Sequence, residues 1–242
     1  MFLIIILIYN MSIKLISWNI NMFQPDKPEL EKDIIMEINK QISDEDFIIL
    51  IESSYQFINN LLKSNISKNY TLLEKFSLSH GGLINILYNK KIKNISHINL
   101  EAPVLLVKIM KDDITFYLGG CHLAPFAENS ERRLEELLIV RSLVPENSKL
   151  ILVGDMNIRE KETKFLQKKD NIMQLKDSGD KRKTWYRVFF EPNCYNITSR
   201  FDRLFISPEM EIKDFQLFGK KYNNKKMILL SDHLAIKAEI TL

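Results

Sequence analysis

Apolar runs bounded by polar or turn residues recur along the chain, at 13–18, 47–52, 70–77, 83–89, 92–100, 104–110, 114–122, 149–154, 201–206, 211–218 and 234–241. Short runs of this kind predict buried strands. Several follow one another across polar turns, such as Asn89-Lys90-Lys91 and Lys111-Asp112-Asp113, which argues for antiparallel neighbours. Helical periodicity appears at 29–40, 55–64 and 130–143. In the third segment Ser130 is the predicted N-cap, and Arg133 at the N3 position leaves no capping box. Leu134, Leu137, Leu138 and Arg141 are its predicted inward face, and Pro145 stops it. Strand-rich stretches interrupted by helices predict one mixed sheet, or two packed sheets, with helices outside. The order lacks the steady alternation of a doubly wound fold.

The ends of these runs carry the chemistry. Trp18-Asn19 closes one, Glu52 another, His122-Leu123 a third, and Gly154-Asp155-Met156-Asn157 follows a fourth. Arg200-Phe201-Asp202-Arg203 opens a strand, and Leu230-Ser231-Asp232-His233 precedes the last one. Strand ends in α/β folds face a common crevice, so residues distant in sequence can converge there. Carboxylates, amides and histidines at one rim are the parts of metal-assisted phosphate-ester hydrolysis.

Glu52 at the end of a buried strand is costly unless paired or bound to a metal. A hard cation such as Mg²⁺ takes oxygen ligands and keeps waters, so Glu52 with help from the Asn19 amide suffices to hold it. The plain alternative is a glutamate that opens a loop with Ser53 and Ser54. Glycine at 154 is expected to let the chain turn off its strand, so that Asp155 and Asn157 orient one water; an ordinary Asp/Asn turn is the alternative. His233 is a candidate protonated donor to a phosphate, with Asp202 fixing its ring, and His122 is a second donor. His80 and His97 lack such context.

Composition narrows the class without naming it. Of 242 residues, 45% are apolar, which supports a sizeable core, and 27% are charged, which is ordinary for a soluble protein. A net charge of +3 is too mild to identify a nucleic-acid partner, so local patches carry that argument. Arg159 with Lys161, Lys181-Arg182-Lys183, and Lys220-Lys221 with Lys225-Lys226 lie beside the motifs and suit a phosphate backbone; Trp185 offers a stacking face. Cys121 and Cys194 fit no zinc spacing or disulfide framework, so an intracellular location is expected. The apolar stretch Phe2 to Tyr9 is far shorter than the roughly 20 residues of a membrane span and lacks a signal-peptide pattern. Residues 1–10 therefore read as an apolar extension preceding Met11, with no stable membrane association expected.

Taken in order, these motifs resemble the endonuclease/exonuclease/phosphatase superfamily across Ile13 to Leu242. The shared signatures are Trp-Asn, a strand-end Glu, His-Leu, Gly-Asp-x-Asn, Arg-x-Asp and Ser-Asp-His. The resemblance implies a deoxyribonuclease I-like, four-layer α/β sandwich of two packed mixed sheets with outer helices, in one catalytic domain over 11–242. It implies a Mg²⁺-dependent phosphodiesterase, with Mn²⁺ as substitute. Within the superfamily, Gly154 to Glu162, Thr184-Trp185 and Ser199 to Phe205 are most similar to the tyrosyl-DNA phosphodiesterase 2 enzymes. That implies a monomer hydrolysing a 5′-tyrosyl phosphodiester at a DNA end. The implied catalytic set is Asn19, Glu52, His122, Asp155, Asn157, Asp202, Asp232 and His233; Glu52, Asn19 and, through water, Asp232 serve the metal. Arg159, Trp185 and Arg200 are implied substrate contacts. Other phosphodiesterases of the fold remain open: a non-specific or abasic-site nuclease, an RNA 3′ exonuclease, a phospholipid or inositol-phosphate hydrolase. So does a non-catalytic nucleic-acid-binding descendant. Asn21 stands where relatives often carry an aspartate that helps the metal site, and Tyr186 to Phe190 also depart from the pattern.

Overall fold

A computed structural model of the protein describes residues 11–22, 28–77, 83–98, 103–163, 175–187, 197–223 and 226–242. The predicted extension 1–10, His80, Cys194, Lys225 and the segment 188–190 lie outside the described residues. The first half of the chain holds β1 (Ser12–Asn19), α1 (Pro28–Gln41), β2 (Phe47–Ile51), α2 (Tyr55–Lys63), β3 (Tyr70–Ser77) and β4 (Leu83–Asn89). Next come β5 (Asn94–Ile98), β6 (Val104–Lys111), β7 (Ile114–His122), α3 (Ser130–Leu143), β8 (Lys149–Asp155) and the short β9 (Lys176–Asp177). The chain closes with β10 (Trp185–Arg187), β11 (Ile197–Ser199), β12 (Asp202–Ile206), β13 (Glu211–Phe218), the hairpin β14 (Lys220–Asn223) and β15 (Lys226–Leu229), and β16 (Ala235–Thr241).

Two six-stranded sheets result, in the orders β13-β16-β1-β2-β4-β3 and β5-β6-β7-β8-β12-β9. Alternate side chains on the central strands point to opposite faces, and both faces are covered, which is why these runs are apolar throughout. Ile13, Leu15, Phe47, Ile49, Val107, Leu118, Ile151 and Val153 fill the layer between the sheets. Ile16, Trp18, Ile48 and Leu50 face outward against Ile34 and Ile38 of α1 and Phe57 and Leu61 of α2. On the far side, Leu106, Leu150 and Leu152 meet Leu137 and Val140 of α3. The result is the four-layer sandwich that the resemblance implies.

Each sheet is built around one parallel pair, β1 with β2 and β7 with β8. Parallel neighbours end at the same edge, so Asn19, Glu52, His122 and Asp155 share a rim. The flanking strands β16 and β12 run antiparallel to β1 and β8, so their beginnings reach that rim too. Asp202 pairs directly with Asp155, and His122 pairs with Asp155 from the other side.

Three local expectations are corrected. Ser130 is already helical; Asn129 precedes α3 and makes no side-chain cap, and its amide donates to Pro125 O at 2.6 Å. The buried face of α3 comprises Arg133, Glu136, Leu137 and Val140, while Leu134 and Leu138 are only half-buried. Its polar members are drawn inward by partners in the loop after His122. Gly154 does not turn the chain off its strand: it lies inside β8 at φ 139°, where an added Cβ would stand 2.3 Å from Cys121 O.

Candidate active site

Glu52 leaves β2 at φ 53°, in the left-handed region. A non-glycine residue held there costs of order 1–3 kcal/mol and needs fixed surroundings. Those exist on both flanks. Its carbonyl accepts Met22 N–H at 2.9 Å, and Ser54 caps α2 by accepting Phe57 N–H at 3.0 Å. Asn19, fully buried, donates through Nδ2 to Glu52 Oε1 at 3.0 Å and to Asp155 Oδ2 at 3.1 Å. Its Oδ1 accepts Asn21 N–H at 3.1 Å. In this arrangement the Asn19 amide presents hydrogens, not its oxygen, to the two carboxylates and sets their spacing.

Asp155 Oδ1 also accepts the N–H of Asn157 at 3.0 Å, and Asn157 sits at φ 51° with its amide donating to Leu123 O at 3.0 Å. His122 lies opposite, with Nε2 3.3 Å from Glu52 Oε1 and 3.9 Å from Asp155 Oδ2. Its buried Nδ1 has no partner among the described residues. His233 Nδ1 is 2.8 Å from Asp202 Oδ2, and both residues are buried. Burial alone would lower the His233 pKa, but the negative charges of Asp202 and Asp155 outweigh it and push it up to about 10. Burial holds the Asp202 carboxyl above its ordinary value, with the His233 imidazolium pulling the other way. His233 Nε2 stands 3.7 Å from Asp155 Oδ2. That is too long for a direct hydrogen bond, which leaves the Nε2 proton for another acceptor.

Asp232 occupies the same rim but is fully engaged. Oδ1 accepts Asn21 Nδ2 at 2.9 Å and Oδ2 accepts Trp185 Nε1 at 3.1 Å. Asn21, at φ 46°, thus answers an aspartate with an amide donor. Trp185 is half-buried, tilted against Phe201 at 5.2 Å, and Arg159 covers the Phe201 ring at 5.2 Å. Arg200 faces elsewhere: its guanidinium is committed to Asp177, with Nη1 2.9 Å from Oδ2. Burial pushes the Asp177 carboxyl up, but Arg200 and Arg203 outweigh it and hold it below the ordinary range. Beside the rim lies a cleft of about 1250 Å³, lined by Ile158 and Phe205 together with Arg159, Lys161, Lys181 and Lys183. Lys221 lies outside this group, paired with Asp33 at 2.9 Å.

Two contributors stood inside quoted motifs but were given no role of their own from sequence. Thr184 Oγ1 accepts the N–H of both Phe201 and Asp202, fixing where β12 begins. Ser231 Oγ donates to Asn19 O at 2.8 Å and ties the last motif to the end of β1. Hydroxyl residues beside Trp185 and Asp232 were the only available signal.

Glu52, His122 and Asp155 each offer a ligand atom within 4.8 Å of the others. Two carboxylates and one imidazole fit a divalent cation. Metal-bound histidines are normally held from their second nitrogen. Two carboxylates among the three favour a hard ion.

The model of the Endonuclease/Exonuclease/phosphatase family matches residues 16–233, a span that holds every strand-end motif above. The chain belongs to this family. No curated protein matches the chain by sequence. Among solved structures, truncated Caenorhabditis elegans TDP2 is similar with a TM-score of 0.73 at 18% identity, covering 96% of this chain and 98% of that one. D. rerio TDP2 complexed with single strand DNA product gives 0.73 at 19%, covering 96% and 99%. The human Nocturnin catalytic domain with bound sulfate anion gives 0.69 at 16%, covering 95% and 93%. At such identities the likeness is one of fold. No helix among the described residues is long and apolar enough to cross a membrane.

Proposed function

We propose that the protein is a Mg²⁺-dependent phosphodiesterase acting on DNA, and that it hydrolyses a 5′-tyrosyl phosphodiester at a DNA end. The observation that carries the reading is the convergence of Glu52, His122, Asp155 and the Asp202–His233 pair on one rim, with Asn19 bridging the two metal-facing carboxylates. We further propose that residues 11–242 act as one catalytic domain, as an intracellular monomer.

Glu52 and Asp155 would hold the metal, which would supply positive charge to a phosphate oxygen. Asn19 keeps the carboxylates in place, and Asp232 orders the neighbouring loops through Asn21 and Trp185. Asp155 takes the proton of the attacking water, and the tight turn to Asn157 fixes its carboxylate. His233, kept cationic by Asp202, donates from Nε2 to the charge that develops on phosphorus-bound oxygen; His122 donates from the other side. Arg159 and Trp185 contact the strand. Arg200 acts through Asp177, shaping the cleft wall.

The test is a panel of a 5′-tyrosyl oligonucleotide, abasic DNA, poly(A) and sphingomyelin, each with Mg²⁺. The reading expects the tyrosyl oligonucleotide to be cleaved fastest. Preference for any other member keeps the phosphodiesterase and replaces its substrate.

A further inference from the structure

Phe126 is 64% exposed and sits at φ 68°. A bulky residue adopts that backbone conformation only where its surroundings over-determine it. Here they do. Leu123 N–H donates to Asp155 O at 3.0 Å and Ala124 N–H to Glu136 Oε2 at 2.9 Å. Arg133 Nη1 donates to Ala124 O at 2.6 Å and to Phe126 O at 2.7 Å. Arg133 is 1% exposed, and its remaining donors grip Glu162 at 3.0 and 2.7 Å. The buried charges of α3 thus serve one loop, whose fixed shape turns a large apolar ring out into water.

The ring's position gives that shape a use. Phe126 follows His122 by four residues, so its Cα lies within roughly 14 Å of the histidine. Arg159 Nη1 donates to Asn157 O at 2.7 Å, and Asn157 in turn donates to Leu123 O at the start of the same loop. Phe201 is buried between Trp185 and Arg159, and the Trp185 N–H is bound to Asp232. Phe126 makes no ring contact among the described residues. An exposed aromatic ring on a loop fixed within that reach of a phosphodiester site suits the flat face of a base, which stacks without regard to sequence.

We propose that Phe126 is a stacking platform for a nucleobase next to the scissile phosphate, an inference that rests on the nucleic-acid reading above. The experiment measures KM and kcat on a 5′-tyrosyl oligonucleotide and on the same strand with abasic spacers replacing the bases nearest its 5′ end. The proteins are wild type, Phe126→Ala, Phe126→Leu, Phe126→Trp and Met110→Ala. Met110 is exposed at the opposite end of the β6–β7 pair and serves as control. Phe126→Ala and Phe126→Leu should raise KM on the natural strand by about 5–100-fold, leave kcat unchanged and have no effect on the spacer strand. Phe126→Trp should restore wild-type KM. Equal losses on both strands, a silent Phe126→Ala, or full function in Phe126→Leu each overturn the platform; the last would indicate generic apolar docking. Wild-type protein that cleaves neither strand overturns the 5′-tyrosyl-DNA reading, and the platform with it. Cleavage by wild type with a silent Phe126→Ala sinks the platform alone.

Discussion

Glu52 and Asp155 both press on the single Asn19 amide group, so the site concentrates negative charge that a cation relieves. Without metal, Glu52→Gln should therefore melt at or above the wild-type temperature, while Mg²⁺ raises the melting point of wild type only; calorimetry with and without the ion checks both. Asp155→Asn should lower kcat by about 10²–10⁴-fold with little change in KM, because proton removal counts in the transition state. A raised KM with normal kcat would make Asp155 a substrate contact. Asp202 and Asp155 push the His233 pKa from its ordinary 6.5 up to about 10 against the effect of burial, so its protonation stabilises the fold. That contribution is complete below about pH 6.5 and is lost as the pH rises through about 10. Nitrogen-15 shifts at pH 8 should report an imidazolium in wild type and a neutral ring in Asp202→Asn.

Individual elements show where sequence and structure part. The long central strands were legible because burial on both faces leaves an unbroken apolar run, as in Phe47 to Ile51. The short strands β9, β10, β11, β14 and β15 were not, since runs of two to four residues are too short to show alternation and are defined by pairing alone. Helix α3 was located correctly but faced wrongly, because Arg133 and Glu136 turn inward to bind loop carbonyls and an amide that no periodicity reveals. Gly154 was recognised as special for the wrong reason. Close approach of β7, not a turn, excludes a side chain there. Gly154→Ala should force β7 and β8 apart and cost roughly 1–3 kcal/mol or more, seen as a lower midpoint in urea. An unchanged midpoint would mean that the strands adjust freely.

For the whole molecule, the site is a consequence of topology. Two parallel pairs at the centres of two sheets end at one rim, and antiparallel neighbours begin there, so six distant motifs meet. The motif order in the sequence was enough to anticipate that meeting. The Asn21–Asp232–Trp185 hydrogen bonds and the Arg200–Asp177 pair were not, since both join residues across strands that sequence alone does not place together. The most direct test of the account is the initial rate of 5′-tyrosyl oligonucleotide cleavage across a Mg²⁺ titration, for wild type and Glu52→Gln. The account predicts saturable Mg²⁺ dependence in wild type, no cleavage in EDTA, and a metal affinity in Glu52→Gln weakened by at least the roughly 100-fold that outer-shell changes can cost. Full cleavage in EDTA, or an identical Mg²⁺ curve for the variant, would contradict it.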